Sequence, residues 1–176
     1  MIITGGKYKG RKITAPDEKI SRPTLSKVRM GVFNTLFSIL GEFEGKSFLD
    51  MFGGSGIMGL EALSRGFKEA VTFEKNPKAV SIIRKNYETL GLRPNIKAGD
   101  SLKLIKTVDH FFDVIYIDPP YQSGFYENVI KSVSDCSIII AEHSTPFDFD
   151  IPGKISVIKT KNYGGKMLTF FQNNTK

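Results

Sequence analysis

The sequence is short of cysteine, histidine and long apolar runs, and each shortage narrows what the chain can do. One cysteine in 176 residues, Cys136, leaves no disulfide to form within the chain, which fits a reducing compartment. The two histidines, His110 and His143, stand far apart, and neither lies near Cys136 at a spacing that zinc requires, so no metal is expected. No apolar run approaches the ~20 residues of a membrane span. The opening "MIITGGKYKGRK" has no signal-peptide core. The expectation is a cytoplasmic protein without a membrane partner. A nucleophile elbow is missing as well, since the one G-x-S-x-G candidate, Gly53 to Ile57, ends in isoleucine.

Acid is scarce near the start. Residues 1 to 30 hold Lys7, Lys9, Arg11, Lys12, Lys19, Arg22, Lys27 and Arg29 against Asp17 and Glu18, eight cations less two anions, so +6 of the formal +7 sits there. A basic segment on a near-neutral body fits a polyanionic partner. Tyr8 among the cations, and Gly5, Gly6 and Gly10 freeing the backbone, favour nucleic acid over a merely solubilising surface. Lys7, Lys9, Arg11 and Lys12 are the candidate phosphate contacts. The length suggests one domain over 1–176, with a basic N-terminal extension over 1–24, suited to nucleic acid, and a core over 25–176.

What is present alternates. "RPTLSKVRMGVFNTLFSIL" spaces its apolar residues as an amphipathic helix, with Lys27 and Arg29 expected on the open face. Then "FLDMF", "AVTFE", "NIKAGD", "DVIYID" and "SIIIAEH" read as strands separated by helical segments, one stopping at Gly66 and one starting near Asn76 and Pro77. Strict alternation predicts an α/β fold, a mostly parallel sheet wrapped by helices. "KISVIKTKNY", "GGK" and "MLTFF" predict a closing antiparallel hairpin.

Gly54, Gly56 and Gly59 satisfy G-x-G-x-x-G after the first strand, and Glu74 ends the second strand 20 residues after Gly54. This fits a dinucleotide such as NAD or another nucleoside cofactor, because the glycines open the backbone at a helix N-terminus and the acid can accept from ribose hydroxyls. Charge separates the two. Asp50 precedes the glycine turn and Asp118 ends the strand expected beside it. Two carboxylates of ordinary pKa, ~4, would repel a pyrophosphate and attract the sulfonium and ammonium of S-adenosylmethionine. Asp100, in "AGDS", either accepts from the adenine amine or caps the next helix.

"DVIYIDPPYQSG" ends a strand in an acid, two prolines and a tyrosine. An exocyclic amine of a nucleobase is a poor nucleophile, since its lone pair is delocalised into the ring. The Asp118 carboxylate and Pro119 carbonyl can accept its two N–H groups and aim the lone pair, while the prolines stiffen the chain and Tyr121 offers a stacking ring.

In order along the chain, "GGKYKGRK", "RPTLSKVR", "LDMFGGSGIMGLEALSRG", "FEKN", "GDS" and "DPPY" resemble the bacterial 16S ribosomal RNA guanine-N2 methyltransferases of the small subunit. The resemblance implies a Rossmann-like class I methyltransferase sheet of seven strands. It implies that Asp50, Phe52, Gly54, Gly56, Glu74, Lys75, Asp100 and Ser101 hold the cofactor, and that Asp118, Pro119 and Tyr121 hold the guanine. Arg22 and Thr24, in the "RPT" turn, would close over the active site. The implied partner is 16S ribosomal RNA or the assembling small subunit, with the oligomeric state open and a monomer favoured. The rivals are an amino methyltransferase of adenine or cytosine in DNA or another RNA, a dinucleotide-dependent oxidoreductase, and a non-catalytic nucleic-acid-binding module. Since the cofactor residues lie at or beyond Asp50, the basic arm is expected to be separable from cofactor binding.

Overall fold

In the computed structural model, residues 1–17, 24–119, 125–133, 136–147 and 149–174 are described. Alternating apolar runs become strands and the 3.6-period segments become helices. The order is α1 (Ser26–Leu40), β1 (Ser47–Asp50), α2 (Ile57–Ser64), β2 (Glu69–Glu74), α3 (Pro77–Thr89), β3 (Asn95–Ala98), α4 (Ser101–Ile105), β4 (Phe112–Ile117), α5 (Phe125–Ser132), β5 (Cys136–His143), β6 (Ile155–Asn162) and β7 (Met167–Asn173). Asn76 caps α3, its side chain accepting from the Lys78 and Ala79 amides, and Pro77 opens the helix. Among the described residues no helix is long and apolar enough to cross a membrane.

The sheet runs β3-β2-β1-β4-β5-β7-β6. β1 to β5 are parallel, and β7 pairs antiparallel with both β5 and β6. This is the seven-stranded, mostly parallel sheet with a closing hairpin that the resemblance implies. Period-two alternation divides the core. Val114, Tyr116, Ile138, Ile140, Leu168 and Phe170 pack on one face, while Ile115, Ile117, Ile139 and Phe171 pack on the other. On the first face Phe33 of α1 stacks on Phe48 of β1 at 5.8 Å between ring centroids. Chain order reverses between β1 and β4, and ligands bind at the carboxyl ends of strands at such a point. The register Asp50↔Tyr116 therefore brings the residues after Ile117 beside the end of β1.

Two expectations need correction. Arg29 is not on the open face of α1: it is 2% exposed, whereas Lys27 is exposed. Its Nε donates to Glu61 Oε1 at 3.0 Å and its Nη2 to the Ile2 carbonyl at 2.7 Å, while Nη1 holds the Thr24 carbonyl. Glu61, fully buried, also pairs with Arg65 and accepts from Thr4 N at 2.8 Å. A buried cation is tolerated only with such complete pairing.

The basic segment, secondly, is no separable arm. Ile3 and Ile13 are buried in the core, Ile2 and Lys12 form an antiparallel bridge, and Ile3 N donates to Arg11 O at 3.0 Å. Lys7 N and Tyr8 N donate to the carbonyl and hydroxyl of Ser64 at the end of α2. Thr14 and Asn86 of α3 exchange two hydrogen bonds of 2.8 Å, and the Asn86 amide also donates to Ser55 O of the glycine turn at 2.9 Å. The segment is thus a small hairpin fastened to α1, α2 and α3.

Candidate active site

The carboxyl ends of β1 and β4 open into a cleft lined by Asp50, Phe52, Gly53, Gly54, Ser55, Ile57, Met58, Tyr116 and Asp118, with Pro16 and Thr24 contributed by the N-terminal segment. The last two show that the N-terminal segment, ahead of Asp50 in the chain, forms part of the cleft wall. Gly54 and Gly56 take φ of 52° and 78°, which a residue with a Cβ adopts at a cost. Their turn leads directly into the N-terminus of α2.

The acids meet here in unequal surroundings. Asp50 is 1% exposed, and its Oδ1 accepts one long bond, from Phe52 N at 3.2 Å. Burial pushes its pKa up to about 7, the Phe52 amide pulling it down and the Glu74 carboxylate adding to the rise. Asp118 follows β4 directly, partly open to the cleft. Desolvation first, then the Glu142 carboxylate, push it to about 8, with the Lys166 ammonium opposing and Asp50 adding. Neither acid is therefore the ordinary carboxylate that the sequence argument assumed. The preference for a cation is strengthened, because a cation in the cleft would restore the ionised form of both.

Glu74 spends both oxygens on backbone: Oε2 accepts from Gly54 N and Oε1 from Asn76 N, each at 2.8 Å. It pins the glycine turn to the end of β2. Asp100 is the N-cap of α4, its Oδ1 accepting from Lys103 N at 3.1 Å, and Ser101 Oγ donates to Met51 O at 2.5 Å, tying α4 to the end of β1. Lys75 is exposed and Pro119 buried. Lys7, Lys9, Arg11 and Lys12 all project from the N-terminal hairpin into solvent, with Lys7 Nζ 5.5 Å from the Tyr8 ring centre and Arg11 Nη2 3.3 Å from Thr89 O. Tyr121 and Arg22 lie outside the described residues.

Sequence reasoning missed a polar cluster behind Asp118. Glu142, at the active end of β5, is fully buried. Its Oε2 accepts from the Tyr116 hydroxyl at 2.5 Å and its Oε1 binds Lys166, at the foot of β7. Lys166 thus turns its ammonium inward, toward Glu142. Burial and the Glu142 and Asp118 charges hold the Tyr116 hydroxyl well above the usual phenol range. His143 bonds Thr145 O at 2.7 Å and Thr169 Oγ1 at 2.8 Å, and burial lowers its pKa, in keeping with a structural residue. The available signal was an acid at the end of the apolar run "SIIIAEH", a costly residue to bury without a partner.

The family described as Conserved hypothetical protein 95 matches residues 1–172. The chain is 30% identical over 170 residues to the ribosomal RNA small subunit methyltransferase D of Buchnera aphidicola subsp. Acyrthosiphon pisum, with 92% of this chain and 87% of that one covered. Its identity to the protein of that name in Haemophilus influenzae is 28% over 183 residues, covering 97% and 93%. A solved structure of a hypothetical protein from Thermus thermophilus superposes with a TM-score of 0.78 at 28% identity, covering 97% of this chain and 98% of that one. With matches that span nearly its whole length, the chain belongs to the Conserved hypothetical protein 95 family, the family of the ribosomal RNA small subunit methyltransferases D.

Proposed function

We propose that this ribosomal RNA methyltransferase acts, as a monomer, on the exocyclic 2-amino group of a guanine in 16S ribosomal RNA, free or within the assembling small subunit, with S-adenosylmethionine as methyl donor. The observation that carries the reading is the pairing of Asp118, delivered by β4, with Asp50 and the glycine turn, delivered by β1, in one cleft. The residues fit this cofactor: two carboxylates raised to about 7 and 8, chiefly by burial, suit a ligand bearing a sulfonium and an ammonium, whereas a pyrophosphate would oppose their ionisation further. When bound, S-adenosylmethionine supplies a methyl carbon whose bond to sulfur breaks, the electron pair going to sulfur, as the amine nitrogen bonds to that carbon.

The protein's part is positional and protolytic. Asp118 and the Pro119 carbonyl accept the two N–H groups and Tyr121 stacks on the base, which turns the nitrogen lone pair toward the methyl group. The alkylated nitrogen holds one proton too many. Asp118, with its raised proton affinity, is suited to take it. Glu74 retains a lone pair on each oxygen for the ribose hydroxyls, and Asp100 Oδ2 serves the adenine amine. Phe52, Gly54, Gly56, Lys75 and Ser101 complete the cofactor's surroundings, and Lys7, Lys9, Arg11, Lys12, Arg22 and Thr24 engage the RNA.

The test is methyl transfer from labelled S-adenosylmethionine to ribosomal RNA from cells lacking this protein, with the product nucleoside identified by mass spectrometry. N2-methylguanosine is expected. Label on adenine or cytosine would overturn the base assignment, and no transfer would overturn the enzyme reading.

A further inference from the structure

A balanced ion pair stands behind the candidate acceptor, and neither of its members touches the cofactor cleft. Glu142 follows the Ile117↔Ala141 pair that aligns β4 with β5, so it lies alongside Asp118. Its fully buried carboxylate is held on one oxygen by Tyr116, two residues before Asp118, and on the other by Lys166. Lys166 arrives from the turn between β6 and β7, where Gly164 and Gly165 take positive φ and Tyr163 N donates to Lys166 O at 2.7 Å. Joining β5 to β7 does not require charge, since apolar residues of similar volume commonly serve as well or better. The pair is built instead at the active edge of the sheet, where its two charges act on Asp118 in opposite senses.

We propose that Glu142 and Lys166 are positioning residues for methyl transfer, a matched pair that balances the charge beside the Asp118 carboxylate. The inference rests on the reading of Asp118 as acceptor of the amine. Among the described residues, the titratable groups facing Asp118 are Asp50 from β1, Tyr116 from β4, Glu142 from β5 and Lys166 from the turn before β7. His143, next to Glu142, is held low in proton affinity by burial.

Two readouts on the full chain test it: carboxyl-carbon NMR titration of Asp118 in the ligand-free protein, its signal assigned by loss in Asp118→Asn, and the pH dependence of single-turnover methyl transfer to the ribosomal RNA described above. Removing the acid in Glu142→Gln should lower the Asp118 midpoint, and removing the cation in Lys166→Met should raise it, each by about one pH unit. Lys166→Arg and the double variant Glu142→Gln/Lys166→Met should return near the wild-type midpoint, and the acid limb of the rate should follow. Midpoints are read from the folded protein alone, so a fraction lost to misfolding does not imitate a shift. If both single changes lower activity while the midpoint stays put, or move it in one direction together, the pair is only a tie between strands and the proposal falls. If the midpoints move in opposite directions while the rate profile ignores them, Asp118 is not the acceptor, and the reading of the site falls instead.

Discussion

The two sides of the cleft treat their acids differently. On the β1–β2 side the carboxylates of Glu74 and Asp100 are answered by backbone amides, those of Gly54, Asn76 and Lys103. On the β4–β5–β7 side, Asp118 and Glu142 are answered by side chains and by burial, with Tyr116 and Lys166 as partners. Backbone donors fix a carboxylate and its charge together, which suits residues that only hold a ligand. Side-chain partners leave proton affinity adjustable, which suits a group that must accept a proton during a reaction.

The sharpest way to break this contrast is Asp118→Ala. Methyl transfer should fall by about 10²–10³-fold in single turnover, the scale for losing one positioned electrostatic contact. Cofactor affinity by calorimetry should stay within a few-fold, and equal losses in both would erase the division between the two sides. Glu74→Ala should do the reverse, weakening S-adenosylmethionine binding by about ten- to a hundred-fold and leaving the rate at saturation largely intact. Unchanged affinity would remove Glu74 from the cofactor's partners.

A smaller effect concerns pH. Asp50 and Asp118 have folded pKa values raised from 3.8 to about 7 and about 8, so between those limits the folded protein holds more protons than the unfolded chain. Their contribution to stability is complete below pH ~4 and is lost as pH rises through 7 to 8. Melting of the ligand-free protein should therefore drop by a few degrees from pH 5 to pH 8, and Asp118→Asn should flatten that slope. A slope unchanged in the variant would mean that Asp118 is not held in its protonated form. The smallest expected effect on the cleft is that of changing Lys7, Lys9, Arg11 and Lys12 to glutamine. These exposed residues should leave melting and cofactor binding unaltered while reducing the slope of log RNA affinity against log salt by up to ~3. An unaltered slope would place the RNA elsewhere, for instance on Lys159 and Lys161 of β6.

The same contrast explains what was legible in the sequence. Gly54, Gly56, Gly59 and Glu74 could be read because a strand, a turn and a helix that follow one another impose fixed spacings. Glu142 and Lys166 could not, since 24 residues separate them and only the pairing of β5 with β7 brings them together. Arg29 was misplaced although the periodicity held a warning: it lies four residues before Phe33 and seven before Leu36, both buried, on one helical stripe. Its charge suggested solvent, and the partner that makes burial tolerable, Glu61, is 32 residues further on. The cleft contribution of Pro16 was hidden for the same reason, because the packing of the N-terminal hairpin depends on α2 and α3.

The place of β7 in the sheet sets an order of assembly. It is the last strand in the chain, yet it lies between β5 and β6 and supplies backbone partners to both. β6, made earlier, has no neighbour until β7 arrives. A chain growing from its N-terminus can close the glycine turn and the β1–β2–β3 ladder while residues beyond Ala98 are still being made. Asp118 gains its counter-charged neighbour only when Lys166 and the strand after it have emerged, so during synthesis the β1–β2–β3 side of the cleft is complete before the surroundings of Asp118 are.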